Sequence, residues 1–445
     1  MMRSLFSGVT GLKTHQTKMD VIGNNIANVN TVGFKSSSVT FSELMYQTVS
    51  SASGANAATG RAGINATQIG LGVTSGAITT NITTAGASQT TGNPFDVQIT
   101  GDSLFIVSDG SSNYFTRAGA FYVDGSGNLA MTSNGYTVMG WQEDPDNPGT
   151  IKQDTVSALK ITSAENLVSS PEATTEAYIS GIIDQNSSNV SSSSGQTINL
   201  TFYDNLGYSY TAKYAVYNTA PDGTTALDDG VYRLELTDIQ DSNGDSITID
   251  GTTTIDLEDI VKLNSNGTAS ATTNEQNTIY LKYDTADGDY LGYWTPASGV
   301  TPSYGDTTNF NETTEALDNK FTMTFATGTY KNFPATIAVS MKTSTMYDNS
   351  GTSTISGTSG DYDGNYAGRK VGTMSGVSIS SNGEIYASYD NGTTKLLGQI
   401  AVASFANPSG LEKVGENLYQ ATLNSGTFDG IGEDVTADGS GSLST

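Results

Sequence analysis

Apolar residues recur every seven positions at Leu5, Leu12, Met19 and Ile26, with a companion row at Gly8, His15, Ile22 and Val29. The rows alternate by three and four residues, which places them on one helix face and makes a coiled-coil seam. Val9 widens the stripe. A helix from about Leu5 to Val29 would be roughly 40 Å long at 1.5 Å per residue. Asn28, Asn30 and Gly33 are the residues that end it. The remaining chain shows no helical partner for this stripe. Leu5, Val9, Leu12, Met19, Ile22, Ile26 and Val29 are therefore expected to be covered by other chains. The alternative is an ordinary amphipathic helix packed on its own domain.

Past the helix the pattern changes. Residues 36–76 are rich in Ser, Ala, Gly and Asn and read as an extended linker, with one short helix expected near Phe41–Val49. From Phe95 onward short apolar runs alternate with turns such as Asp109-Gly110 and Asn134-Gly135, which are hairpin signals. Only 14% of residues are charged, against about 25% in an average protein. The gap is filled by small polar residues and 50 Gly, the composition of many strands joined by many turns.

The expected fold is mainly β and multidomain. A coiled-coil-type assembly helix (1–35) leads through the linker (36–76) to a discontinuous core β domain (77–145 and 371–430). An outer β domain (150–345) is inserted into it, with 238–300 as a possible subdomain. The run Glu143–Gly149, with two prolines, reads as the boundary between the two domains. Residues 346–370 read as loop. Residues 431–445 read as a tail cut short.

Composition narrows the chemistry. The chain has no Cys and one His, His15, so thiol chemistry, a Ser-His-Asp triad on a second His and multi-His metal sites are ruled out. A net charge of −26 opposes nucleic acid and acidic lipid surfaces. No apolar run is long enough for a membrane span, and Met1–Thr17 lacks the uninterrupted apolar core of a signal peptide. Asp241-Ser-Asn243-Gly-Asp245 starts like a calcium loop, but its Gly is misplaced and Thr252 stands where the closing Glu belongs, so a turn is expected. Gly70-Leu-Gly72-Val-Thr-Ser-Gly76 only approaches a dinucleotide fingerprint. Asp228 and Asp229 offer paired carboxylates with nothing to set them across a cleft. No catalytic residue, metal or cofactor is expected.

The segment Asn24-Asn25-Ile26-Ala27-Asn28-Val29-Asn30-Thr31-Val32-Gly33-Phe34-Lys35 resembles the N-terminal signature of the bacterial flagellar rod and hook family. Gly60–Asn65 and Gln68–Val73 resemble the extended segment that follows. Asp102–Val107, Tyr114–Phe121, Gly398–Asn407 and Gly415–Tyr419 are similar to the family's first β domain, and Pro171-Glu-Ala-Thr174 to its outer region. The resemblance implies a hook-type structural subunit of a flexible, curved helical tube that carries torque from rod to filament. It implies no enzymatic activity. The implied partners are further copies of the chain, the distal rod protein, the hook cap, the hook–filament junction protein and the flagellar export apparatus. Nucleic acid and membrane insertion are not implied. The implied location is extracellular, in the hook and basal body, reached without a cleaved signal peptide. Family members end in a second amphipathic helix, so a segment beyond Thr445 is expected. A distal rod-type protein is the nearest alternative, and a secreted carbohydrate-binding or hydrolytic β protein is a more distant one.

Overall fold

The computed structural model describes residues 2–56, 58, 60–249, 253–254, 257, 261–264, 277–294, 320–325, 332–437 and 441–445. The chain divides into two compact units, Met1–Leu167 with Met374–Thr445, and Val168–Thr373. Among the described residues its elements are the α-helix α1 (Met2–Ala27), a 3-10 turn at Pro408–Gly410 and strands. That helix is not apolar enough to cross a membrane.

The first unit is built where the two arms of the chain meet. Its main sheet runs in the order Glu384–Tyr389, Thr394–Ile400, Thr137–Gln142, Leu104–Ser108, Asn113–Thr116, Leu418–Gln420, Glu412–Gly415. The junction between the arms is the antiparallel pair Gly140↔Ile400, Trp141↔Gln399, Gln142↔Gly398. Two glycines make that approach possible. A Cβ on Gly140 would collide with the Gln399 carbonyl, and one on Gly398 would lie 2.6 Å from the Trp141 carbonyl. Phe105, Val107, Phe121, Val138, Ile385 and Ile400 form the buried core beside this seam.

Several sequence expectations change in this unit. Glu143–Gly149 is not a boundary. It is a hairpin turn closed by Asp144 N–H to Thr150 O at 2.9 Å and Gly149 N–H to the Glu143 carboxylate at 2.8 Å. The chain stays in the unit as far as Leu167, because Leu159 and Ile161 are buried in its core. Nor do residues 431–445 behave as a loose tail. Ser442–Ser444 pairs with Gln98–Thr100, and Val435 and Leu443 are buried. Periodicity hid this, since two isolated apolar residues among Gly and Ser carry no strand signal.

The second unit is a sandwich of two sheets. One is antiparallel, in the order Gln196–Tyr203, Ser209–Tyr217, Val231–Gln240, Thr278–Tyr283, Tyr290–Trp294. The other runs Val261–Asn264, Phe321–Phe325, Thr336–Ser340, Glu176–Ile183, with Ser344–Met346 and Ser356–Ser359 also on Glu176–Ile183. Alternate residues of both sheets meet inside: Ile198, Leu200, Phe202, Tyr214 and Leu234 on one side, Ile179, Leu263, Phe321, Met323 and Val339 on the other. The Tyr214 hydroxyl reaches Met323 Sδ across the layer.

The inserted unit thus spans 168–373 rather than 150–345. Residues 238–300 are no separate subdomain where they are described: Val261–Asn264 joins one sheet, Thr278–Tyr283 and Tyr290–Trp294 the other. Their stretches 265–276 and 295–300 lie outside the described residues. Ser356–Ser359 turns part of the expected loop 346–370 into a strand on Glu176–Ile183. The calcium-like segment is a turn, with Asp241 accepting from the N–H groups of Asn243 and Asp245 at 2.8 and 3.1 Å.

One buried carboxylate ties that former loop down. Asp184 is fully buried and accepts the N–H groups of Asn186, Asn349 and Gly351, each at 2.8 Å. Those donors hold its carboxyl below the usual carboxylate range. A depressed folded-state pKa contributes stability above the ordinary carboxylate pKa and loses it as pH falls through the folded value. Asp184→Ala is therefore expected to lower the melting temperature of the second unit by several degrees at neutral pH. The deficit relative to the parent chain should shrink below about pH 4, near the ordinary carboxylate pKa; calorimetry across pH measures both. An unchanged neutral-pH transition would remove Asp184 from this role.

Candidate assembly surface: the N-terminal helix and its hairpin

α1 is followed by four strands, β1 (Ser37–Glu43), β2 (Tyr46–Ser50), β3 (Thr67–Gly70) and β4 (Val73–Thr80). β1 pairs with β4 and β2 with β3, so the segment doubles back on itself as one long antiparallel arm. The short helix expected near Phe41–Val49 is absent: residues 41–43 belong to β1 and 46–49 to β2. Val39 opposes Ile78 and Thr48 opposes Gln68 across the arm. The β-branched residues and aromatics of 39–49 favour that pairing over a helix.

The helix does have a partner on its own subunit, and it is this arm. Contact is made through the polar side of α1. Asn25 grips β1 with both amide atoms, donating to Ser37 O at 2.8 Å and accepting from Ser37 N–H at 3.0 Å. The Thr10 hydroxyl accepts from Val73 N–H at 3.4 Å, and Thr14 is 5% exposed beneath the same strand. Gly72 brings the backbone against Thr10, where a Cβ would clash. His15 meets the Phe41 ring edge-on, with centroids 5.4 Å apart, and the Lys18 ammonium lies 5.5 Å from that ring. His15 is thus a packing residue within the subunit.

The apolar stripe is left bare. Leu5, Val9, Leu12, Met19, Ile22, Ile26 and Val29 are all exposed, Leu12 at 74% and Ile26 at 68%. Phe6, which the heptad count omits, is exposed beside them at 63%. An amphipathic helix normally buries its apolar side; this one buries Thr14 and half-buries Thr10 and Asn25 instead.

The signature that closes the helix is a junction. Ala27 is the last helical residue. Asn28 donates from its backbone and side chain to Asn24, and Thr31 in turn bonds Asn28. Gly33 takes a left-handed φ of 73°, and a Cβ there would stand 2.8 Å from Ala118. Asn417 donates to Val32 O at 2.9 Å, and Lys413 donates to Lys35 O at 3.1 Å while lying over the Phe34 ring. Lys35 reaches Thr84 O at 2.6 Å. Burial pushes the Lys35 and Lys413 ammonium pKa values down, and the Arg117 charge adds to the effect at Lys35. Asn30 is exposed at the rim of this junction. Lys413 and Asn417 are partners that sequence reading missed, since nothing in their spacing tied them to residues nearly four hundred positions earlier.

Among the described residues no group of His, Cys, Asp and Glu could hold a metal ion. The geometry is that of a helix whose polar side is held by the arm and whose apolar stripe is exposed. Two family models match within it and beside it: flagella basal body rod protein over residues 5–35, and the flagellar hook protein FlgE/F/G D1 domain over residues 98–180. The chain is 32% identical to the flagellar hook protein FlgE of Treponema pallidum over 96% of its own length and 86% of that protein's. The chain belongs to the flagellar hook protein FlgE family. The FlgE of Borreliella burgdorferi matches to the same extent, at 32% identity. The flagellar basal-body rod protein FlgG of Bacillus subtilis is 51% identical, but over 34% of this chain and 54% of that one. Within the FlgE family, then, this chain has a discontinuous unit, an inserted sandwich, and a helix–arm module ahead of both.

The junction generates a direct test. Asn25→Ala removes both bonds to Ser37 and leaves the Ser37 N–H and C=O short of partners, at a cost of about 1–3 kcal/mol. Amide exchange across residues 5–27 of the monomer should accelerate by roughly 5- to 100-fold. Exchange at the parent rate would show that the helix is held by other contacts.

Proposed function

We propose that this chain is a structural hook subunit that polymerises with copies of itself into a flexible, curved tube carrying torque from rod to filament. The observation that carries the reading is the bare stripe on α1. Its polar side is fixed by Asn25 and Thr10 to the arm, which orients the apolar side outward. Fully burying the seven stripe residues between neighbouring subunits is worth roughly 10–20 kcal/mol at about 1.5–3 kcal/mol each. That is enough to drive association after the loss of overall freedom, put at about 4–15 kcal/mol.

The signature Asn24, Asn25, Ile26, Ala27, Asn28, Asn30, Thr31, Gly33, Phe34 and Lys35 sets the angle between helix and core. Gly33 is needed because the turn requires positive φ and leaves no room beside Ala118. The subunit performs no catalysis and takes no cofactor. Its further partners are the distal rod protein, the hook cap, the hook–filament junction protein and the export apparatus. Its place is the hook of the extracellular flagellum. A distal rod-type role draws on the higher local identity to FlgG, but that match spans a third of the chain, whereas the hook proteins match nearly all of it.

Leu12→Asp or Ile26→Asp is expected to abolish polymerisation while leaving the monomer's melting temperature within about a degree, because both residues are exposed there and such substitutions are near neutral for stability. Electron microscopy of concentrated protein reads the first outcome and calorimetry the second. Gly33→Val should impair assembly in the same assay while sparing the second unit's transition. Normal tubes from all three variants would overturn the reading.

A further inference from the structure

The helix–arm module joins the core by two chain crossings that lie side by side. The chain leaves at Ser36 and returns at Asn81, whose N–H donates to Ser36 O at 3.0 Å; Ile82, next in line, is buried in the core. Lys35 Nζ to Thr84 O at 2.6 Å ties the two crossings to each other. Two adjacent crossings by themselves make a hinge about which α1 and the arm can turn, so further contacts are needed to fix their direction. The hairpin of Glu412–Gly415 with Leu418–Gln420 supplies them. At its tip Asn417 donates to Val32 O at 2.9 Å. Lys413 donates to Lys35 O at 3.1 Å, and its ammonium stands 5.1 Å from the centre of the Phe34 ring. The facing wall is Ala118, against which Gly33 leaves no room for a Cβ. One buried hydroxyl joins the two walls: Thr116 donates to Asn417 O and accepts from Ala118 N–H, each at 3.0 Å. We propose that this hairpin is a clamp that fixes the direction in which α1 and its arm leave the core, with Asn417 and Lys413 as its positioning residues.

The tip of the clamp is strained in a way that aims it. Glu416 and Asn417 both take left-handed φ values, 50° and 60°. A two-residue turn of this hand favours Asn-Gly, and a side chain at its second position costs stability. Glycine in place of Asn417 would relax the turn and lose the amide that reaches Val32. That amide stands on a rigid base. Leu418 and Tyr419, the next two residues, are buried and pair with Thr116 and Phe115 of the main sheet. The donor is therefore fixed to the core, and the Val32 carbonyl is held where the donor points. The clamp also belongs to the returning arm of the chain, 385 positions from Val32. Its action on direction concerns the single subunit. Its use in assembly rests on polymerisation by this chain: a stripe held in one direction loses less freedom on association than one that swings.

The chain has no Cys, so two spin labels can be placed without background. Labels at Gln16→Cys on α1 and Ser133→Cys on the core, both exposed positions, report the direction of the helix in dilute monomer by pulsed dipolar spectroscopy. The parent pair should give one narrow distance distribution. Asn417→Gly combined with Lys413→Met should lose that single peak to a broad one, while circular dichroism shows α1 retained and the second unit melts as in the parent. Lys413→Arg, which keeps a donor, should stay narrow. The double variant should also need roughly two- to tenfold more protein to polymerise, the worth of one ordinary hydrogen bond. A broad distribution in the parent, or a narrow one in the double variant, would overturn the clamp and leave the hook-subunit reading standing. A double variant that swings yet polymerises at the parent's concentration would overturn its use in assembly. A parent chain that forms no polymer would sink the hook-subunit reading, with the clamp still decided by the monomer distances.

Discussion

The paired hydrogen bonds between the Asn25 amide and the Ser37 backbone decide how the rest of this molecule is presented. A carboxamide that both donates and accepts fixes a strand end in position and in direction. With Thr10 and Thr14 under Val73, it commits the polar side of α1 to its own arm. Turning the helix over to hide Leu12 and Ile26 would break those bonds. It would also take from the half-buried Ser37 N–H and C=O their side-chain partner. Polar contacts worth little in net free energy thus select the orientation, and the apolar side is held ready for other chains.

The second constraint is the seam where the outgoing and returning arms meet. Trp141 and Gln399 pair between Gly140 and Gly398, and neither glycine has space for a Cβ. The closure is non-local by more than two hundred and fifty positions, so the whole of 168–373 can be inserted without disturbing it. An insertion of this length costs little extra in loop entropy, which grows only logarithmically.

Cations are the scarce resource of an acidic chain, and three of them gather at the helix–core junction. Lys35 and Lys413 bond backbone carbonyls there, and Arg117 stands partly idle beside them. Each is disfavoured in its charged form by burial. The junction they form includes Gly33, Phe34 and Lys35, which connect the helix to the core.

Some of this was determined by sequence alone. The period of seven from Leu5 to Ile26 is a local property, and it specified the helix and its apolar stripe. Turn residues such as Asp109-Gly110 bounded most strands of both units for the same reason. The turn at Gly33, past the end of the helix at Ala27, was legible because positive φ is a single-residue requirement. Tertiary structure decided the rest. Residues 41–43 and 46–49 became strand because β4 and β3 return to pair with them. Residues 431–445 joined a core because Gln98–Thr100 offered an open edge. The boundary moved from Glu143–Gly149 to Leu167 because Leu159 and Ile161 had an apolar interior to enter. Which side of the helix faces its own subunit was also invisible in one dimension. Periodicity says that two sides exist, and only the partner that reaches Asn25 says which of them is covered.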